Sequence, residues 1–199
     1  MVSVHRPVTI AVAGAHSTGK STFLAELAHE LRCRGLRVAT VDDLGEQAQR
    51  AGFPILTQHT WASTLWIITR GISNELAAWI GADIVLIDRP VPDALGYYRA
   101  ALDYRGEQPD PTTTRYLDTI TREHTAHSYD LIFRTQLDPT ISLGANKPRD
   151  DNVRFRQLAD RHVAQVITDL HLDTETLTRA GNDAALVRAL TFATARHAT

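Results

Sequence analysis

Residues Gly14 to Ser21 read Gly-Ala-His-Ser-Thr-Gly-Lys-Ser, an unbroken G-x-x-x-x-G-K-S pattern. The chemistry such a pattern supports is the capture of a run of phosphates. Gly14 and Gly19 admit backbone dihedrals closed to other residues, so successive N–H groups can converge on an anion. Lys20 has the reach for the β- and γ-phosphates, and the Ser21 hydroxyl suits Mg²⁺. Gly14, Ala15, His16, Ser17, Thr18, Gly19, Lys20, Ser21 and Thr22 are accordingly assigned to a nucleoside triphosphate. His16 and Thr18 occupy variable positions of the pattern, and His16 is read as loop filler rather than as a catalyst.

Further groups with chemical potential follow at intervals. Asp88 ends the apolar run Ile84-Val85-Leu86-Ile87, the form taken by the acid that holds Mg²⁺ beside a phosphate loop. Arg89 follows it, and its fork of donors suits an oxyanion of the substrate. Asp42, Asp43 and Glu46 lie just beyond a second apolar run; any of them could accept the proton of an attacking hydroxyl. Asp42-Asp43 could equally be helix caps, and Glu46 with Arg50 a surface ion pair. Lys147, Arg149, Arg154 and Arg156 form a cationic cluster around a Gly- and Pro-containing stretch. Phosphoryl transfer needs positive charge on the migrating group, which Arg149 and Arg156 could supply from a closing loop. Trp61, Trp66, Tyr97 and Tyr98 could stack on a flat ligand, although aromatics at helical spacing usually serve the core.

The elements that must position these groups alternate. Pro7 to Ala13 predicts a strand and Ser21 to Leu31 a helix. Leu36 to Val41 then predicts a strand, and Glu46 to Ala51 and Thr60 to Ile80 predict helices. Ala82 to Asp88 is a buried strand, followed by helices over Pro92 to Leu102 and Thr112 to His127. Tyr129 to Thr135 is a fourth strand, Val153 to Leu170 a helix, Thr174 to Thr178 a short strand and Asn182 to Arg196 a closing helix. The fold class is therefore α/β, a mostly parallel five-stranded sheet covered on both faces, with ligands beyond the strand C-termini. Gly14 to Ser21, the acids Asp42, Asp43 and Glu46, and the Asp88-Arg89 pair all fall at that edge.

Composition narrows the partners. With 199 residues, 43% hydrophobic and 22% charged, the chain reads as one domain over 1–199. A net charge of −2 gives no global basic field, so long nucleic acid is not an expected partner. A single cysteine, Cys33, excludes an internal disulfide and a Cys-rich zinc site, and reads as a free thiol in a reducing compartment. The apolar runs are of strand length and the first residues lack a signal-peptide pattern, so a soluble cytoplasmic protein without membrane partners is expected. Apolar positions along Thr60 to Ile80 could face the core or a second subunit, which leaves a homodimer open.

Taken in order, several segments resemble the phosphate-loop kinases of the nucleoside and nucleotide type. Within that group they are similar to small AAA-type ATPase domains related to nicotinamide riboside kinase and to thymidylate kinase. Ile10 to Thr22 matches the first strand and loop, and Asp88-Arg89-Pro90 resembles the Asp-Arg element after the third strand. Tyr129 to Phe133 followed by Asn146 to Arg156 is similar to the fourth strand and lid, with Arg149 and Arg156 seven residues apart. Lys147-Pro148 departs from the usual Gly and apolar residue, and Asn152 stands where an acid is common. The resemblance implies a three-layer phosphate-loop NTPase fold with an arginine-bearing lid over about 136–156. It further implies ATP and Mg²⁺, γ-phosphoryl transfer to a small acceptor, and an activating acid among Asp42, Asp43 and Glu46. A nucleotide-dependent switch with a protein partner would use the same loop. Against a guanine switch, Ala145 to Arg149 holds only the first two residues of an Asn-Lys-x-Asp element. A kinase of a secondary metabolite would differ only in its acceptor.

Overall fold

In a computed structural model of the chain, residues 6–137 and 152–197 are described. Among the described residues there are five strands, β1 (Val8–Ala13), β2 (Val38–Val41), β3 (Ile84–Asp88), β4 (Leu131–Thr135) and β5 (Glu175–Leu177). They form one sheet in the order β2-β3-β1-β4-β5, and every pairing is parallel. Seven helices connect and cover them: α1 (Lys20–Cys33), α2 (Gly45–Arg50), α3 (Trp61–Ala78), α4 (Val91–Arg105), α5 (Pro111–Ser128), α6 (Val153–Asp169) and α7 (Asn182–His197). The three-layer α/β expectation holds, and the differences are at element ends. β2 starts two residues later than its apolar run, and a 3₁₀ turn at Leu56–Gln58 had no sequence signal.

β1 occupies the centre because its side chains are apolar in both directions. Ile10 and Val12 pack with Phe23, Leu27, Leu31 and Ala189 of α1 and α7 on one face. Ala11 and Ala13 meet Tyr97, Phe155 and Val163 of α4 and α6 on the other. A third apolar cluster, including Ile68, Leu95, Leu117 and Val166, ties α3, α4, α5 and α6 together. Side-chain caps define several helix starts. Thr60 and Ser63 exchange hydrogen bonds in a capping box at α3, Asp110 accepts from Thr113 N–H at 2.7 Å, and Asn152 accepts from Phe155 N–H at 3.0 Å.

The tightest helix contact is that of α4 on α6. A Cβ on Gly96 would lie 2.6 Å from Val163 Cγ2 and 2.8 Å from its Cα, closer than real contacts allow. Gly96→Ala is expected to cost about 2 to 3 kcal/mol, since overpacking against backbone cannot be relieved by a rotamer change. Denaturant unfolding measures it as a lowered midpoint at constant slope. An unchanged midpoint would show that the two helices separate freely.

Candidate active site

At the C-terminal edge of the sheet, Val12 of β1 stands in register with Asp88 of β3, and the chain then turns into the phosphate loop. Gly14 is required there twice over. Its φ is 131°, and a Cβ would fall 2.2 Å from Thr135 Oγ1. Ser17 and Gly19 also take positive φ, of 61° and 88°, which swings the chain onto the N-terminus of α1. No side chain caps that helix, so its first amides face outward as an anion site. Lys20 is buried there, its Nζ donating to the Ala15 carbonyl and to Thr18 Oγ1 at 3.3 Å. Burial pulls the Lys20 ammonium down to about pH 7, with Arg89 adding to the effect while Asp93, Asp88 and Asp43 oppose it.

Ser21 and Asp88 meet: the Ser21 hydroxyl donates to Asp88 Oδ2. The other oxygen, Oδ1, is buried without a hydrogen-bond partner. A hydroxyl beside an orphaned carboxylate oxygen is a donor set that fits a hard cation completed by phosphate oxygens and water. Among the described residues no cluster of three His, Cys, Asp or Glu side chains could hold a metal ion.

One face of α4 and Arg89, two residues before its start, grip the loop from the side. Arg89, Asp93 and Tyr97 are spaced by four residues. Asp93 Oδ2 accepts from Gly14 N–H at 3.0 Å, Arg89 donates to the Gly14 carbonyl at 3.2 Å, and the Tyr97 hydroxyl accepts from His16 N–H at 2.8 Å. Burial pushes Asp93 up to about pH 7 against the pull of Arg89, Lys20 and the Gly14 amide. Neither Asp93 nor Tyr97 was singled out as part of the loop by sequence. The available signal was an acid and an aromatic at helical spacing after Arg89.

Arg89 also reaches the acids after β2. Its Nε donates to Asp43 Oδ2 at 2.7 Å, and its guanidinium lies 5.0 Å from the Tyr97 ring centre. Asp43 Oδ1 accepts from Gly45 N–H at 2.9 Å. Burial works against the Asp43 charge, but Arg89, the Gly45 amide and Lys20 outweigh it and hold the carboxyl below its ordinary range. Asp42 and Glu46 line the same cavity and, like Asp43, are exposed. Arg89, assigned from sequence to a substrate oxyanion, is thus already engaged by Asp43 and the loop. Its own φ of 68° aims it inward, a turn no sequence pattern announces for a non-glycine residue.

Arg156, assigned to the migrating phosphoryl group, lies behind the loop and donates to the carbonyls of His16 and Ser17 at 3.2 and 3.1 Å. Arg154 covers the Tyr104 ring at 5.3 Å. Arg149, Lys147 and most of the 136–156 lid lie outside the described residues.

A cavity of about 1000 Å³ joins all of this, running from His16 to Thr22 past Asp88 and Asp43 to a second wall. That wall comprises Leu44, Ile55, Leu56 and His59, with Ile67, Gly71 and Glu75 along one stripe of α3. His59 is 4% exposed, its Nδ1 lying 3.2 Å from the Leu56 carbonyl. Burial, helped by Arg89 and Arg105, lowers it to about pH 4 despite the Leu56 carbonyl and Asp43. Between pH 6.5 and about 4 the unfolded histidine holds a proton that the folded one does not, so its contribution to stability falls with pH by up to about 3 kcal/mol. Asp93 acts in the opposite sense across that window. His59→Phe should therefore lose less stability than wild type as pH drops, measured by denaturation at each pH. Parallel curves would dismiss the histidine as the cause.

A family model described as an AAA domain matches residues 9–187. The chain belongs to this AAA domain family. No curated protein matches the sequence. Among solved structures, this AAA domain superposes on a NadR protein in complex with NAD and AMP-PNP with a TM-score of 0.68 and 16% identity, covering 96% of this chain and 51% of NadR. A second NadR structure, in complex with NR, gives 0.63 and 16%, covering 90% and 46%. Thymidylate kinase from Ehrlichia chaffeensis gives 0.64 and 14%, covering 94% and 99%. The AAA domain thus spans about half the length of the NadR chains and nearly all of the thymidylate kinase. At these identities the likeness establishes the mostly parallel phosphate-loop α/β fold. Among the described residues no helix is long and apolar enough to cross a membrane.

Proposed function

We propose that this AAA domain is an ATP-dependent phosphotransferase that moves the γ-phosphoryl group to a small metabolite, a nucleoside or nucleotide in class. The observation that carries the reading is the single cavity in which the phosphate loop and a second, differently built wall share Asp43 and Arg89 at their junction. A nucleotide switch needs the first half of that cavity and has no use for the second. The thymidylate kinase among the structural neighbours, and the NadR protein solved with AMP-PNP, support the same reading.

Residue roles follow from placement. The α1 amides and Lys20 bind the phosphate chain, and Ser21 with Asp88 would hold Mg²⁺, which neutralises charge on the phosphate oxygens when bound. Asp43, fixed by Arg89 and Gly45, orients the acceptor hydroxyl. Arg156 and the α4 residues hold the loop in shape, and the cavity walls exclude water. Positioning and charge dominate this chemistry, so little covalent work is asked of the protein. The test is ADP release from Mg·ATP across nucleosides, monophosphates and sugars, with product mass. Acceptor-dependent turnover is expected; tight ATP binding with release that no acceptor stimulates would overturn the proposal.

A further inference from the structure

The second wall is acidic, and on the kinase reading this bears on the charge of the acceptor. Asp42, Asp43, Glu46 and Glu75 line it, with Asp93 at its edge. Among the described residues, the cations lining the cavity are Lys20 and Arg89. Lys20 belongs to the phosphate loop. Arg89 sits between Asp43, the Gly14 carbonyl and, at 3.8 Å, Asp93, which consumes its charge and donors.

The unspent polar capacity of this wall consists of acceptors. Glu75 is 2% exposed; its Oε1 accepts from the Tyr129 hydroxyl at 3.1 Å and its Oε2 faces His124 Nε2 at 2.6 Å, so each oxygen retains a lone pair. His59 keeps its proton on Nδ1, toward the Leu56 carbonyl, which leaves Nε2 as a lone-pair acceptor. A ligand here must bring donors. A phosphate dianion brings further acceptors and negative charge into a site that, among the described residues, holds carboxylates and no uncommitted ammonium or guanidinium, an arrangement that selects against it.

We propose that the acceptor is a phosphate-free hydroxyl metabolite, neutral or cationic and rich in hydrogen-bond donors, and that Glu75 is the main residue selecting it. Ile67 and Gly71, which share the Glu75 stripe of α3, leave room for its body. Among the two acceptor classes of the kinase reading, this selects the nucleoside over the nucleotide.

The experiment titrates the full chain, saturated with Mg·ADP, with matched pairs: adenosine and AMP, uridine and UMP, thymidine and TMP, choline and phosphocholine. In at least one pair the phosphate-free member should bind about tenfold more tightly or better. Glu75→Gln should narrow that ratio, and Asp42→Asn, at an exposed position that leaves the core intact, should narrow it less. Equal binding within every pair, tighter binding of a phosphorylated member, or a ratio unmoved in both variants would overturn the inference. The same mixtures with ATP report on the kinase separately. Conversion of a monophosphate to a diphosphate would end this inference and leave the kinase standing, whereas a charge preference with no phosphorylated product would do the reverse.

Discussion

Lys20→Ala is expected to reduce phosphoryl transfer by about 10³-fold, the scale on which a preorganised charge at a transferring group acts. The ammonium is nearly sealed from water, donates to the Ala15 carbonyl and Thr18, and stands among Arg89, Asp88, Asp43 and Asp93. Desolvation leaves it titrating near pH 7, so part of the population is neutral at physiological pH. An arriving phosphate chain favours the charged form, and binding should take up a proton. Nucleotide affinity is therefore expected to weaken as pH rises through 7 in the wild type and to stay flat in Lys20→Ala across the same range. Steady-state turnover and calorimetry in buffers of different ionisation enthalpy measure both effects. A variant within tenfold of wild type, or one with the same pH slope, would remove Lys20 from the chemistry.

Asp43→Asn should lower kcat by about 10²-fold with a smaller change in KM, the scale on which misplacing a reacting group costs rate. Three acids were equivalent in the sequence, and geometry separates them. Asp43 is the one fixed at the junction, by Arg89 on one oxygen and the Gly45 amide on the other. A carboxyl held below its ordinary range is a weak base, so its contribution is to orient the acceptor hydroxyl, and a loose transition state asks little more. Asp42→Asn and Glu46→Gln should change kcat by less than about threefold, because neither is held by such contacts. If either of those is the crippled variant and Asp43→Asn is not, the assignment moves.

Much of this site could be read before the fold was seen because its parts are local. The loop from Gly14 to Ser21 announces itself by spacing, the apolar run into Asp88 identifies a central strand, and alternation places both at one edge. What escaped reading is what depends on contact between distant segments. Asp93 is an ordinary first-turn acid until α4 brings it 3.0 Å from Gly14, and Glu75 an ordinary helix charge until Tyr129 and His124 close on it. Arg156 was assigned from sequence to the migrating phosphoryl group, but its direction depends on how α6 crosses behind His16. His59 follows a 3₁₀ turn that begins at Leu56, whose φ of 57° lacks the usual Gly or Asn. One-dimensional patterns record which groups are present, whereas the partners of buried charges are set by packing.

The grip on the phosphate loop from two sides has a consequence for the thermodynamics of its ligand. Asp93 and Tyr97 of α4, with Arg89 just after β3, hold Gly14 and His16, while Arg156 holds His16 and Ser17 from α6. Ser17 is kept in a left-handed conformation that it would otherwise leave. The ordering entropy that a slack loop would surrender on meeting phosphate has thus already been spent when the chain folded, and it is charged to fold stability instead of to affinity.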